Sequence, residues 1–469
     1  MPVLILLCAA QFMVILDITV VNVALPSIQA DLGIPVQDLQ WVITAYTVAF
    51  GGLLLLGGRA ADLLGRRRVF LAGLALFSLA SLTAALAGTA SALVASRVAQ
   101  GIGAAMLSPA ALSLITTSFA EGPQRRRALT AWAAVAASGG AFGVLAGGLL
   151  TETLEWQAIF LINLPVGIAV AVGALRLLPA TAPSATGPID VTGALLATAS
   201  LATLIYGLVE APSAGWGSAQ TLGLLGAAAT GLLAFVMVEG RARNPLVSLP
   251  VFRRRPTVVA LVLMITGMGT VLSTFFFLTL YFQQVLGHSA LQTGLEFLPG
   301  AILLVVTAHA GGHLVSRYGT KPLLVSGMTL AATGALLLSG VSPDGGYLTD
   351  VLPGLLVLDA GIGLAAPAIF ITALAGVDDE EAGLVSGLTT TAHELGGALI
   401  LPLLSTVAVS SVGVSALDAA GDLDPALVTA AFGDAFRVAA GIALGSALLA
   451  LVALRRSDVA PGSAPAFAH

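Results

Sequence analysis

The chain is a succession of apolar runs whose length suits a bilayer and little else. A membrane-crossing helix needs about 20 mostly apolar residues. Fourteen such runs occur in the 469 residues, at 3–27, 38–60, 69–88, 92–115, 128–150, 157–178, 190–210, 219–239, 257–284, 294–315, 321–340, 349–373, 383–410 and 434–454. Only 9% of the residues are charged and 57% are hydrophobic, whereas a soluble domain carries roughly 25% charged residues. A soluble chain of this composition would have nothing with which to cover its surface. The expected fold is therefore an all-α integral membrane protein with 14 transmembrane helices. The first run, up to Asp17, lacks a basic leader and a small-residue cleavage site, and reads as a retained span. Cys8 is the single cysteine, so no intrachain disulfide or cysteine-based metal centre can form. No metal-ligand spacing, Walker motif or nucleophile–base set is present, so an enzyme, an ATP-driven pump, a cofactor and a nucleic-acid partner are not expected.

Basic residues mark the cytoplasmic loops of membrane proteins. Arg66, Arg67 and Arg68 follow the second run, Arg125 to Arg127 the fourth, Arg176 the sixth, Arg253 to Arg255 the eighth, and Arg317 and Lys321 flank the turn after the tenth. The intervening loops hold acids, among them Asp31, Asp38, Glu152, Glu155, Asp344 and Asp350. With fourteen alternating spans, all these basic loops fall on one side and both termini are cytoplasmic. Arg437 alone departs from the pattern.

Residues 57–73, "GGRAADLLGRRRVFLAG", can be laid over 311–327, "GGHLVSRYGTKPLLVSG". Gly57, Gly58, Gly65 and Gly73 then meet Gly311, Gly312, Gly319 and Gly327, and both segments leave the membrane on the same side. Parallel repeats related by an axis along the membrane normal are one plan for a transporter. The repeat distance exceeds six spans by two. Hence the expected division is a six-helix half over 1–178, a two-helix insert with linkers over 179–256, and a second six-helix half over 257–469.

Several segments in order carry a family likeness: "LDITVVNVALPSI" from Leu16, "GRAADLLGRRR" from Gly58, "SRVAQGIGAA" from Ser96, "GGAFGVLAGG" from Gly139 and "WQAIFLINLPVG" from Trp156. In these the chain resembles the fourteen-helix drug/proton antiporter branch of the major facilitator superfamily, over nearly its whole length. The resemblance implies pseudo-twofold related halves and a proton-coupled exporter of amphiphilic drugs or antibiotics working by alternating access. It also implies a bacterial cytoplasmic membrane, with protons, a small amphiphilic substrate and lipid as partners; the oligomeric state is left open, with a monomer favoured. Val144 stands where the helix-five antiporter motif has proline, which leaves proton symport, or export of a lipid or metabolite, as alternatives. A non-transporting membrane receptor is the reading from a different class.

Gly139, Gly143 and Gly147 recur every four residues and Gly148 follows. They form a flat helical face that allows close backbone approach, expected between the two halves. The resemblance assigns Gly58, Asp62, Gly65, Arg66 and Arg67 to a cytoplasmic latch in which Asp62 meets a neighbouring helix end.

A charge at bilayer depth costs roughly 2.5–3.5 kcal/mol even on insertion scales. The ionisable side chains inside runs are Asp17, Arg97, Asp359, His393 and Glu394, on helices that border the central cavity in the superfamily or pair with those that do. Burial and a neighbouring arginine act in opposite senses on a carboxylate, and an acid caught between them can exchange protons near neutral pH. Asp17 and Glu394, then Asp359, are the expected proton carriers, with Arg97 as the fixed charge that biases them. For Asp17 and Asp359 a packing role is the alternative. Glu210, Glu239 and Glu296 lie at run ends, where a solvated carboxylate costs little, and receive no role. Gln11, Met13, Tyr46, Phe276, Tyr281 and His309 are the expected cavity lining, with His313 four residues beyond His309 on the same face.

Overall fold

The computed structural model describes residues 1–119, 122–179, 190–242, 245–412 and 424–455. Among them are fourteen long helices and no strand: α1 (Pro2–Leu32), α2 (Trp41–Leu64), α3 (Arg66–Ala85), α4 (Ala90–Ser118), α5 (Pro123–Leu154), α6 (Asn163–Leu177), α7 (Val191–Ala214), α8 (Ala219–Glu239), α9 (Arg255–Leu280), α10 (Ala290–Tyr318), α11 (Thr320–Leu338), α12 (Leu352–Ala373), α13 (Asp379–Val412) and α14 (Pro425–Ala453). Thirteen spans are long and apolar enough to cross a membrane. The other long helix, α5, has 32 residues, ample length at about 1.5 Å rise per residue. A short helix, Ala158–Leu161, leads into α6, and single π-helical turns extend α9 (Tyr281–Val285) and precede α12 (Tyr347–Val351). The expected linker 179–189 lies, beyond residue 179, outside the described residues.

The helices overrun the apolar runs because their caps and first turns are polar. The tenth run begins at residue 294, but α10 starts at Ala290, where the Ser289 hydroxyl caps the amide of Gln292 at 3.2 Å. Likewise α1 continues to Leu32, closed by Gly33 in the left-handed region.

The glycine repeat has a packing cause. A β-carbon on Gly73 of α3 would stand 2.8 Å from the carbonyl oxygen of Gly103 on α4, and one on Gly327 of α11 would stand 2.6 Å from that of Gly361 on α12. Gly57 of α2 and Gly311 of α10 likewise press on the backbones of α4 and α12. Gly65 and Gly319, at the turns α2–α3 and α10–α11, have φ of 97° and 78°, which side chains rarely adopt. The two segments thus do the same work twice. Within each half the basic segments bond to a neighbouring helix end: Arg67 donates to the carbonyl of Leu175 at 2.8 Å, Lys321 to that of Leu454 at 2.7 Å, and Arg254 to Glu381 at 2.6 Å.

The inserted helices cover the line where α2 meets α13. Ile205 and Val209 of α7 pack with Val48 of α2 and Ala398 of α13, and Thr406 of α13 donates to the carbonyl of Leu208 at 2.9 Å. α8 packs on α7 and is mostly open to the surroundings. Two carboxylates expected to be solvated are buried instead. Glu239 accepts the amide of Val247 at 3.2 Å, and Glu296 pairs with His288 at 3.0 Å and with Gln292 at 3.2 Å. Both stand at helix ends, as the sequence indicates, but a folded-back chain segment covers each.

Candidate functional site

Five helices bring one charged network together inside the first six-helix bundle. Arg97 on α4 donates through Nη1 to Asp17 on α1 and to Gln100 at 2.9 Å, and through Nε to the carbonyl of Val42 on α2 at 2.8 Å. The second Asp17 oxygen accepts from Gln100 at 3.0 Å and from Asn163 on α6 at 2.8 Å. Ser81 on α3 accepts from Gln100 at 2.9 Å and donates a hydrogen bond to the carbonyl of Phe77 at 2.8 Å. The guanidinium lies 4.4 Å from the ring centre of Tyr46 and 5.8 Å from that of Phe160. Arg97 is 1% exposed and Asp17 0%, and the pair survives at this depth because both Asp17 oxygens and the Arg97 Nη1 and Nε are hydrogen-bonded, although Asn163 Oδ1 and the Tyr46 hydroxyl are buried without a partner. The sequence pointed to Asp17, Arg97 and Tyr46. It missed Gln100, Asn163 and Ser81, although Gln100 lies three residues after Arg97 on the same helical face.

Tyr46 is the edge of this network. Its hydroxyl is buried with no hydrogen-bond partner. Glu394 belongs to α13 in the other bundle, where it pairs with His393 at 3.1 Å and lies against Gly51 of α2. Asp359 on α12 stands apart. It is 2% exposed, and its Oδ2 has no partner. The space for it comes from Gly300 on α10, where a β-carbon would strike the carboxylate. In the repeat Gly300 corresponds to Tyr46, and matching Gly361, on which Gly327 packs, to Gly103, on which Gly73 packs, sets Asp359 at the place of Gly101, where an added β-carbon would stand 2.5 Å from the Tyr46 carbonyl oxygen. The larger residue has changed sides between the two bundles.

The glycine face of α5 meets α1 of its own bundle, not the opposite half as expected. Added β-carbons would stand 2.9 Å from Ile15 at Gly139, 3.3 Å from the Leu16 carbonyl at Gly143, and 2.7 Å from the Val20 carbonyl at Gly147. Periodicity defines a face without naming what it touches. Gly148 alone crosses between halves, against the carbonyl of Ala290 at 2.6 Å, and Gly294 of α10 returns the contact onto the Val144 carbonyl at 2.5 Å. At the same end Glu152 accepts from the Ser289 hydroxyl at 2.7 Å and the Leu291 amide at 3.0 Å.

The expected lining residues do not gather in one place. Gln11 accepts from Ser108 at 2.9 Å and Met13 is in the core of the first bundle. Phe276 packs edge-on against Phe277, and Tyr281 donates to the carbonyl of Ser342 at 2.8 Å, both within a buried apolar cluster that spans the two halves. The His309 and His313 rings approach at 3.3 Å on an exposed face of α10, and no group of three metal-ligating residues occurs among the described residues. Across the α2–α3 turn Asp62 pairs with Arg66 at 3.5 Å, and on α2 Gly58 lies 3.6 Å from Pro109 as judged by an added β-carbon.

The model for the Major Facilitator Superfamily matches residues 7–401. The chain is 42% identical to the cephamycin export protein CmcT of Amycolatopsis lactamdurans, over 97% of this chain and 93% of that one. It is 39% identical to the puromycin resistance protein pur8 of Streptomyces alboniger, over 96% and 89%. It is 35% identical to the tetracenomycin C resistance and export protein of Streptomyces glaucescens, over 88% and 76%. Among solved structures, a peptide transporter POT in complex with sulfate superposes with a TM-score of 0.68 at 15% identity, over 96% of this chain and 93% of that one. The human organic anion transporter MFSD10 superposes with a TM-score of 0.60 at 16% identity, over 96% and 99%.

Proposed function

The chain belongs to the Major Facilitator Superfamily, and we propose that it is a proton-coupled exporter of small amphiphilic antibiotics in a bacterial cytoplasmic membrane, with both termini cytoplasmic. The relatives named for export of, or resistance to, antibiotics support the cargo class. The observation that supports the coupling is the buried Asp17–Arg97 pair, held by Gln100 and Asn163.

A ligand moves a conformational equilibrium only by its differential affinity for the two states. Protonating Asp17 leaves the Arg97 guanidinium buried without its counter-charge, and breaking such a pair costs about 3–5 kcal/mol. That cost makes the state in which Arg97 finds another partner, or water, the favoured one. Glu394 lies against α2, one of the two seams between halves, so a proton there changes a contact that must open and close. Asp359 supplies a third carboxylate, in the second bundle. Since an unpaired buried charge is expensive, a proton is the partner its bare Oδ2 most readily takes. The α5–α10 contact at Gly148 and Gly294, with Glu152 on Ser289, closes the end opposite the basic loops, so this is an inward-facing or occluded arrangement.

Inverted vesicles holding an imposed pH gradient test the reading. Adding cephamycin, puromycin or another amphiphilic antibiotic should collapse the gradient when the protein is present. No collapse across a broad panel would contradict export by antiport.

A further inference from the structure

Two carboxylates meet where the inserted helix pair begins and ends. Asp190 caps the start of α7, and Glu239 is the last residue of α8. Asp190 Oδ1 accepts from the Gly193 amide at 2.8 Å, and Glu239 Oε2 accepts from the Val247 amide at 3.2 Å. The other two oxygens, Asp190 Oδ2 and Glu239 Oε1, are buried and accept no hydrogen bond. Both border one place, since a β-carbon on Gly193 would stand 2.8 Å from the first and 2.7 Å from the second. We propose that these two oxygens, beside Gly193, bind a divalent cation of the Mg²⁺ class at a site separate from the buried Asp17–Arg97 network.

The charges around the site select that ligand. Glu239 is 3% exposed, and a buried carboxylate oxygen without a partner is costly unless a cation or a proton meets it. No side chain supplies the cation. Neither Asp190 nor Glu239 takes part in an ion pair among the described residues, and Arg241, two residues beyond Glu239, is exposed. Glu239 also stands at the negative end of its helix dipole, the end that favours positive charge. Each carboxylate already accepts a backbone amide, a bond that is strongest to the ionised form. One divalent cation neutralises two such charges, whereas a shared proton neutralises one. Mg²⁺ in proteins keeps several waters and takes one or two carboxylates, so the site needs no third side chain. Glycine at 193 leaves the space beside the two oxygens open. The cation would fasten three segments together: the start of α7, the end of α8, and the connector at Val247 that passes through the 3₁₀ turn Leu249–Arg253 into α9. It would therefore pin the inserted pair to the chain entering the second half.

The inference does not rest on proton coupling, and its test is an equilibrium one. Mn²⁺, which shares the oxygen ligands of Mg²⁺, is titrated into the purified full chain in nonionic maltoside detergent, and the free ion is followed by electron paramagnetic resonance. The wild type should bind Mn²⁺ saturably, and Mg²⁺ but not K⁺ should displace it. Glu239→Gln keeps the shape and removes a charge, while Gly193→Ala keeps both charges and fills the space. Each should weaken Mn²⁺ by at least roughly tenfold, and Glu210→Gln should leave it unchanged. Mg²⁺ should also raise the Tm of the wild type and not that of Glu239→Gln. Absence of displaceable Mn²⁺ on the wild type would overturn the proposal whether or not a variant folds, and so would undiminished binding in both variants. A wild-type Tm that ignores Mg²⁺ but rises as the pH falls would overturn it in favour of a proton shared by the two carboxyls.

Discussion

Gly51 on α2 lies so close to Glu394 on α13 that a β-carbon on the glycine would stand 3.0 Å from that of the glutamate. The two bundles meet here through a missing side chain. Overpacking a tight contact costs about 1–3 kcal/mol, so Gly51→Leu should slow efflux of a fluorescent cationic amphiphile from cells by roughly tenfold or more. Gly223→Leu, on α8 with nothing within 4 Å, should leave efflux unchanged.

Arg97→Leu leaves Asp17 buried with only neutral partners. The variant should lose about 3–5 kcal/mol, read as a lowered Tm in detergent. Asp17→Asn combined with Arg97→Leu should lose less than the sum of the two single changes, because residues in one network couple. Additive losses would show that the two side chains act independently.

Asp359 should behave in the opposite way. With Oδ2 unpartnered, the isosteric Asp359→Asn removes no ion pair, so its Tm should equal or exceed that of the wild type. Its effect should appear in the pH profile of efflux instead. A Tm loss as large as that of Arg97→Leu would mean that Asp359 has a counter-charge.

Gly294 packs on the Val144 carbonyl from the opposite half. Gly294→Val should hold the two halves apart at this end. Cysteines placed at Glu152 and Ser289, whose side chains meet at 2.7 Å, should then crosslink more slowly than in the otherwise unchanged chain, while Tm changes little. Unaltered crosslinking would show that this contact does not close the seam.

How much was legible beforehand differs by feature. The fourteen helices follow from apolar run length, and their missed ends follow from polar caps such as Ser289. The Asp17–Arg97 pair stands out because charges in an apolar run need a reason. Gln100, Asn163 and Ser81 do not, since a neutral side chain in such a run is unremarked until its neighbours are known. The same limit explains the α5 glycines. Spacing sets Gly139, Gly143 and Gly147 on one face, but only the packed chain places α1, not the second half, against it. Phe276 and Tyr281 were expected at a cavity because aromatic residues suit one, and they suit a core equally well.

The central claim is that a proton on Asp17 drives the carrier between its states. Its most direct measurement is the antibiotic-driven collapse of an imposed pH gradient in inverted vesicles, with wild type beside Asp17→Asn. The account predicts a collapse in the wild type that is lost in Asp17→Asn. Equal collapse with both proteins would contradict it.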